Sequence, residues 1–275
     1  MTQYLRPRDL DEALDARAAY RDWMILAGAT DLMVTANHKL APIGIIDLWR
    51  LPALGFIHLG DGAISIGAGT TWLEVLRHEA IRMHLAPLAA AAREIGALQI
   101  QARATLGGNV GTSSPVGDSL PVLLALDAQL EVASVRGRRR IAYASFCTGY
   151  RKTAMAADEL IVAAHLPVPR HGTRLCWRKV GTRRAQSISK VMGAAALELD
   201  GDVVVGARVA LGAVADRPIR IAAVERAVAG KPLAQAAEAA RAAMRGAITP
   251  IDDVRSTAIY RRDVAENLVA RFFMS

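Results

Sequence analysis

Residues Thr105–Pro121 read TLGGNVGTSSPVGDSLP. The stretch carries four glycines, a series of Ser and Thr hydroxyls and a single charge, Asp118, and it lies between two apolar, helix-like runs. Bare backbone concentrated in this way suits a loop whose main chain is itself the binding group. Amides freed from a ladder beside a helix start attract anions, and glycine reaches positive φ and lets a ligand approach closely. The same arrangement occurs earlier, where WMILAGATDLM passes from a short apolar strand through Gly28-Ala29-Thr30 into a helix predicted from Asp31. Two such loops can hold a diphosphate from both sides. One alone reads as readily as a turn, because short glycine patterns arise by chance. The GAG at Gly67–Gly69 is read as a turn: it lacks the dinucleotide fingerprint and the acidic residue that follows it. No G-x-x-x-x-G-K-[ST] loop occurs.

At 275 residues the chain can form one large domain or two smaller ones, and 52% hydrophobic residues supply a core. No apolar run approaches the roughly eighteen residues of a membrane span. The opening MTQYLRPRDLDEALD is charged where a signal peptide is apolar, and two cysteines, Cys147 and Cys176, are too few for a disulfide scaffold or a four-thiolate cluster. A cytoplasmic protein is expected. The net charge of +8 admits three readings: nucleic acid, an anionic cofactor, or a general arginine bias. The densest basic run, RGRRR at Arg136–Arg140, lies between two strand-like segments and reads as a hairpin tip. Aromatics are 5% and do not interleave with it, so no nucleic-acid partner is expected.

Asp9 is placed to cap a helix over Leu10–Tyr20, and Thr71-Trp72-Leu73-Glu74 forms a capping box. IGIIDLW and AISIGAGTT read as strands, LAPLAAAAREIG as a helix ended by Gly96, and Pro121–Leu126 as a further helix. The Pro/Gly cluster PVPRHG at Pro167–Gly172 marks a boundary. Three β-like runs follow it, RLCWRKV, KVMGAAALELD and DVVVGARVALGAV, the last two joined through Gly201, and then alanine-rich helix. The fold class is α+β, with a smaller sheet-plus-helices domain at the C-terminal end.

ILAGATDLMV (Ile25–Val34) resembles the first flavin motif of the FAD-binding, or medium, subunits of the molybdenum hydroxylases, the xanthine dehydrogenase and aerobic carbon monoxide dehydrogenase group. ATLGGNVGTSSPVGDSLPVLLAL (Ala104–Leu126) resembles the second, more specific motif. GYRKTAMAADELIVAAHLP (Gly149–Pro167), RKVGTRRAQSISKV (Arg178–Val191) and YRRDVAENLV (Tyr260–Val269) continue the resemblance in the family's order. It implies a two-part FAD-binding domain of the vanillyl-alcohol-oxidase-like (PCMH) type over 1–170, with subdomains of about 1–55 and 56–170, and a C-terminal flavoprotein-subunit domain over 171–275.

The resemblance also implies site residues. Met24, Ile25, Leu26, Ala27, Gly28, Ala29, Thr30 and Asp31 would form one loop about the FAD pyrophosphate; Ala104, Thr105, Leu106, Gly107, Gly108 and Asn109 would form the other. Asp118 resembles a family aspartate that accepts from flavin-side hydroxyls, and from the residues alone it reads equally as a helix N-cap. Asp31, a carboxylate beside phosphates, is expected to turn inward and cap its helix. Ile161 would wall the isoalloxazine ring or simply fill the core. Lys179 resembles a lysine whose cation stabilises reduced flavin, against the usual solvated strand lysine. Where this chain has Gly28-Ala29 the family usually has two glycines; alanine at positive φ costs about 1 kcal/mol or more, so the expectation is a conformation that is not left-handed, or an altered loop.

Other chemistry is missing from the pattern. HEAIRMH (His78–His84) spaces its histidines six apart, which is not the zinc spacing, Cys147 has no histidine nearby in sequence, and no G-x-S-x-G elbow occurs, so no catalytic residue and no metal ligand is assigned. The resemblance implies one noncovalent FAD and a division of labour: a large molybdopterin subunit acts on the substrate, a small subunit with two [2Fe–2S] clusters relays electrons, and FAD passes them to an acceptor, in a dimer of heterotrimers. The extra cluster of the 4-hydroxybenzoyl-CoA reductase flavin subunit is not expected with two cysteines. A stand-alone flavin oxidoreductase of the same fold and a flavin-free binding protein are the alternatives. Reducing substrate and acceptor are left open.

Overall fold

The computed structural model describes residues 3–34, 43–183 and 186–274. Strand β1 (Gln3–Leu5), helix α1 (Leu10–Ala19), β2 (Met24–Leu26) and β3 (Gly44–Asp47) form a three-stranded parallel sheet of order β1-β3-β2. Asp9 caps α1 by accepting from the Glu12 amide, as its sequence position predicts. Leu10, Ala13 and Leu14 give α1 one buried face. That face joins Ile46 and Leu48 to Ala133, Leu160 and Val162 of the next sheet, so α1 is the apolar wedge between the two sheets.

The second sheet is antiparallel: β4 (Ile57–Gly60), β5 (Ala63–Gly67), β6 (Gln129–Ser134), β7 (Gly137–Ala142) and β10 (Leu160–Pro167), in the order β4-β5-β10-β6-β7. Six helices lie between β5 and β6: α2 (Trp72–Arg77), α3 (Glu79–His84), α4 (Ala86–Glu94), α5 (Leu98–Gln101), α6 (Leu106–Thr112) and α7 (Leu120–Ala125). Thr71 and Glu74 form the expected capping box, and Gly96 takes φ +57 just beyond α4. Helix α8 (Tyr143–Phe146) leads into the hairpin β8 (Cys147–Gly149) and β9 (Lys152–Thr153).

Beyond Pro167 a four-stranded antiparallel sheet follows in sequence order, β11 (Arg174–Val180), β12 (Val191–Asp200), β13 (Val203–Gly212) and β14 (Ile219–Arg220). Helices α9 (Ala222–Val228), α10 (Leu233–Ala243) and α11 (Ala258–Phe272) complete the chain. Strand β12 is buried on both faces: Ala194 and Ala196 belong to the core under α7, while Val191, Ala195 and Leu197 pack with the C-terminal helices. Alanine on the first face lets the sheet approach α7 closely, which accounts for the run VMGAAAL.

Only the first residue of the basic run lies at the hairpin tip. Val135 and Arg136 make the turn, whereas Arg138, Arg139 and Arg140 lie on β7. Arg136 pairs with Asp158, Arg138 with Glu131 and Arg139 with Glu159. Three of its positive charges are thus matched by acids on β6 and in the Asp158–Glu159 segment, a match invisible in the run itself. Among the described residues no helix is long and apolar enough to cross a membrane.

Candidate functional site

A cleft of about 1000 Å³ opens between the first sheet, the α6 segment and the β8–β9 hairpin. This is the upper end of the roughly 300–1,000 Å³ typical of ligand sites. Every residue from Met24 to Asp31 lines it, as do Ala104, Thr105, Gly107, Gly108, Asn109 and Ile161. The two glycine loops are therefore adjacent. They touch at Gly28, where a Cβ would meet the Arg103 carbonyl oxygen at 1.8 Å. A hollow of about 440 Å³ between α10 and α11, lined by Arg241, Asn267, Arg271 and Met274, has no loop backbone in its wall.

The amides of the two loops differ. In the first loop the N–H groups of Ala27, Gly28, Ala29, Thr30 and Asp31 donate to no acceptor among the described residues, while the Ala29 carbonyl already accepts from Met33 to begin a helix. The continuation of that predicted helix falls in residues 35–42, outside the described residues. In the second loop Leu106 donates to the Thr70 carbonyl, Gly107 to Ala68, Gly108 to the Thr105 hydroxyl and Asn109 to the Thr105 carbonyl. These four amides are engaged, so the expectation that both loops offer runs of free N–H groups is corrected: among the described residues the first loop offers a run, and the second leaves the Thr105 amide alone without an acceptor. The turn at Gly67–Gly69 supplies part of the reason, because the carbonyl of Ala68 within it and that of Thr70 just after it hold the second loop in place. A Cβ on Gly107 would meet the Ala68 Cβ at 2.6 Å, which is why this junction takes glycine. The second loop thus acts as the floor on which the first is set.

Ala29 has φ +63. It occupies the left-handed region that was not expected of an alanine, at a cost of about 1 kcal/mol. Ala29→Gly is therefore expected to stabilise the protein by about 1 kcal/mol, raising Tm by about 2–4 °C, as read by thermal unfolding. An unchanged or lower Tm would mean that the strain is compensated elsewhere.

Three expected site residues do not line the cleft. Leu106 is fully buried in the core. Asp118 is not an N-cap: Ser119 holds that position without a side-chain bond. Its carboxylate instead receives the Lys179 ammonium at 2.6 Å and the Ser189 hydroxyl, and its carbonyl accepts from the Trp177 indole. Lys179, whose side chain is 4% exposed, is thus no solvated strand lysine. Burial pushes the Asp118 carboxyl above its ordinary value, while Lys179 and Ser189 oppose that shift. Asp31 does not cap inward either. Its carboxylate faces Arg151 at 3.4 Å, across the cleft wall. Ile161 serves both readings, being 8% exposed on β10 and in contact with the cleft.

Several lining groups carry no local sequence signal. Trp72 is completely buried and its indole Nε1 has no partner among the described residues; Arg17 likewise has an unpartnered buried Nε. Buried donors left unpaired are costly, so they favour a ligand that supplies acceptors. Arg151, at φ +52, presents a cation, and Ile95, Ile100 and Ile188 supply apolar wall. Free amides, orphaned donors and apolar walls together fit a long ligand with an anionic centre and flat apolar ends, which is the chemistry of FAD.

A family model for the FAD binding domain in molybdopterin dehydrogenase matches residues 1–169, and one for the CO dehydrogenase flavoprotein C-terminal domain matches residues 178–275. The chain is 31% identical to the xanthine dehydrogenase FAD-binding subunit of Escherichia coli O157:H7, over 98% of this chain and 93% of that one. It is 28% identical to the nicotinate dehydrogenase FAD-subunit of Eubacterium barkeri, over 99% and 95%. Its fold is similar to that in the carbon monoxide dehydrogenase of Hydrogenophaga pseudoflava, with TM-score 0.94, 27% identity and coverage of 98% and 95%. The chain belongs to the FAD-binding medium subunits of the molybdopterin-dependent dehydrogenases: it is the flavoprotein component of a multi-subunit oxidoreductase.

Proposed function

We propose that this subunit binds one FAD noncovalently in the cleft and passes electrons from the [2Fe–2S] clusters of a small partner subunit to an external acceptor, the reducing substrate being handled by a large molybdopterin subunit. The observation that carries this reading is the run of five amides, Ala27 to Asp31, that donate to no acceptor among the described residues, on the wall of a cleft sized for such a ligand. Those amides would hold the diphosphate, with Ala104, Thr105, Gly107, Gly108 and Asn109 supporting them from the engaged second loop and Ile161 and Ile188 bounding the flat end. Bound FAD supplies one-electron acceptance and two-electron release at a single centre. The chain's own part is to orient the group, exclude water from its apolar end and set the charge around it. Lys179, buried against Asp118, contributes a fixed cation–carboxylate pair near Ile188, and we assign it and Asp118 a role in shaping the flavin end of the cleft.

We place the domain division at about residue 170, with 1–170 as the FAD-binding part, 1–55 and 56–170 as its two subdomains, and 171–275 as the C-terminal part; the separate sheets on either side of Pro167–Arg174 support this. The assembly we infer is a dimer of heterotrimers. A cytoplasmic setting agrees with two cysteines that form no disulfide. The stand-alone flavin oxidoreductase is not favoured, since the relatives named above are subunits.

The test is direct. The purified chain, incubated with excess FAD and desalted, is expected to retain about one flavin per chain, released by denaturation and therefore noncovalent, with iron near zero. Affinity purification from its native host should recover a small two-cluster protein and a large molybdopterin protein. A chain that stays colourless after FAD treatment sinks the proposal.

A further inference from the structure

The charged groups lining the cleft are few. Arg17, Asp31, Arg151 and Glu159 are the ionisable ones among the described lining residues. Glu159 is held by Arg139 through two bonds, of 2.6 and 2.8 Å, and by the Ala156 amide at 2.7 Å. Arg17 is anchored through one Nη to the Trp23 carbonyl at 2.9 Å, its buried Nε having no partner among the described residues. Only the Arg151–Asp31 pair can rearrange at low cost: the contact is 3.4 Å, and the side chains are 45% and 56% exposed. Such exposed pairs contribute little to stability.

Two further facts single out Arg151. It sits at the turn between β8 and β9 with φ +52, a conformation for which glycine is the ordinary choice. A backbone outlier of this kind, carrying a long cation into a cleft wall, motivates a role for the side chain. Its partner Asp31 also ends the run of five amides that donate to no acceptor among the described residues. An anion bound by those amides would sit beside the Asp31 carboxylate, and like charges at close range repel.

We propose that Arg151 is the cationic partner of the ligand's phosphate groups, held by Asp31 until the ligand arrives, so that binding exchanges a carboxylate for a phosphate on the same guanidinium. The exchange suits arginine, whose planar fork takes either anion in two parallel hydrogen bonds. It also gives Asp31 a function that capping does not: it keeps Arg151 at the cleft wall and competes mildly with the ligand. This inference rests on the FAD reading and identifies the part of the ligand that Arg151 recognises.

Equilibrium binding of FAD, ADP and riboflavin to the full-length chain, followed by fluorescence or calorimetry, tests it, with Tm measured alongside. Arg151→Gly removes the cation and relaxes the left-handed backbone. It is expected to raise Tm while weakening FAD and ADP about tenfold or more, and to leave riboflavin, which has no phosphate, unchanged. Asp31→Asn removes the competitor and is expected to tighten FAD and ADP about threefold or more. Arg151→Lys should retain part of the affinity and steepen its loss with salt.

The outcomes separate cleanly. Wild-type protein that binds neither FAD nor ADP overturns the FAD reading and this inference with it. Wild-type protein that binds FAD while Arg151→Gly binds it equally well overturns the inference alone. So does a parallel loss of affinity in Arg151→Gly and Asp31→Asn, because a merely structural clasp loses function from either side.

Discussion

Gly28→Ala is expected to abolish tight flavin binding and to destabilise the protein, out of proportion to the one methyl group it adds. The added Cβ would lie 1.8 Å from the Arg103 carbonyl oxygen, 2.5 Å from its carbon and 3.0 Å from the Ala104 Cα. These are backbone atoms, with no rotamer that could swing away. The segment is also pinned: the Arg103 guanidinium lies 3.8 Å from the centre of the Trp49 ring, and Arg103 and Ala104 both donate to the Ile100 carbonyl. The loops must therefore part by an ångström or more. Overpacking of this kind costs about 1–3 kcal/mol, occasionally more. Parting the loops also displaces the free amides from whatever anion they hold. Losing two charge-assisted hydrogen bonds, each of about 1.5–3 kcal/mol, weakens binding about hundredfold or beyond. Gly55→Ala is the matched control, since a Cβ there meets nothing within 4 Å and its φ is −107°. FAD titration and thermal unfolding of both variants check the prediction. Binding by Gly28→Ala within a few-fold of wild type would mean that loop contact at this position is not what shapes the site.

The contrast between Gly28 and the second loop indicates what the sequence makes legible. Local devices read correctly because their physics is local: Asp9 capping α1, the Thr71–Glu74 box, Gly96 beyond α4 and Gly201 between β12 and β13 each depend on a few neighbouring residues. The first loop was readable on the same ground, as a strand running into a helix start through small residues. Long-range commitments were not readable. Nothing in TLGGN announces that the Leu106 and Gly107 amides are already bound to the carbonyls of Thr70 and Ala68, in a turn that by itself looks incidental. Likewise RGRRR has the composition of an exposed tip, and only the register of β6 against β7, together with the fold of the Asp158–Glu159 segment, matches its arginines with acids. Arg151 entered the site through a backbone turn that joins two very short strands, a feature with no periodicity to detect. The resemblance carried the reading where spacing could not, because a family motif encodes such distant contacts implicitly.

Replacing Lys179 with methionine is expected to cost about 3–5 kcal/mol, the usual penalty for leaving a buried charge without its partner. The Lys179 and Asp118 side chains are 4% and 10% exposed, at a separation of 2.6 Å, and the pair bridges β11 to the segment before α7. In Lys179→Met the Asp118 carboxyl loses the nearby cation that opposes the upward push of burial, leaving the Ser189 hydroxyl as its side-chain partner. Its pKa in the folded protein then rises further above the ordinary 3.8. The sign follows from linkage: a folded carboxyl that binds its proton more tightly than the unfolded chain favours folding while protonated. That contribution is present below the unfolded value and is lost as pH rises through the folded one. Stability of Lys179→Met relative to wild type should therefore fall as pH increases from about 4 toward neutrality. Carboxylates held low by arginines, such as Glu131 and Glu159, act in the opposite direction but are common to both proteins, so the difference isolates Asp118. Adding Asp118→Leu to Lys179→Met should recover most of the loss, since an apolar pair of similar size removes the unpaired charge. Urea unfolding of the three proteins across the acidic and neutral range measures both effects. A double variant no more stable than Lys179→Met, or a stability difference independent of pH, would show that the pair is solvated in solution and does not tie β11 to the segment before α7.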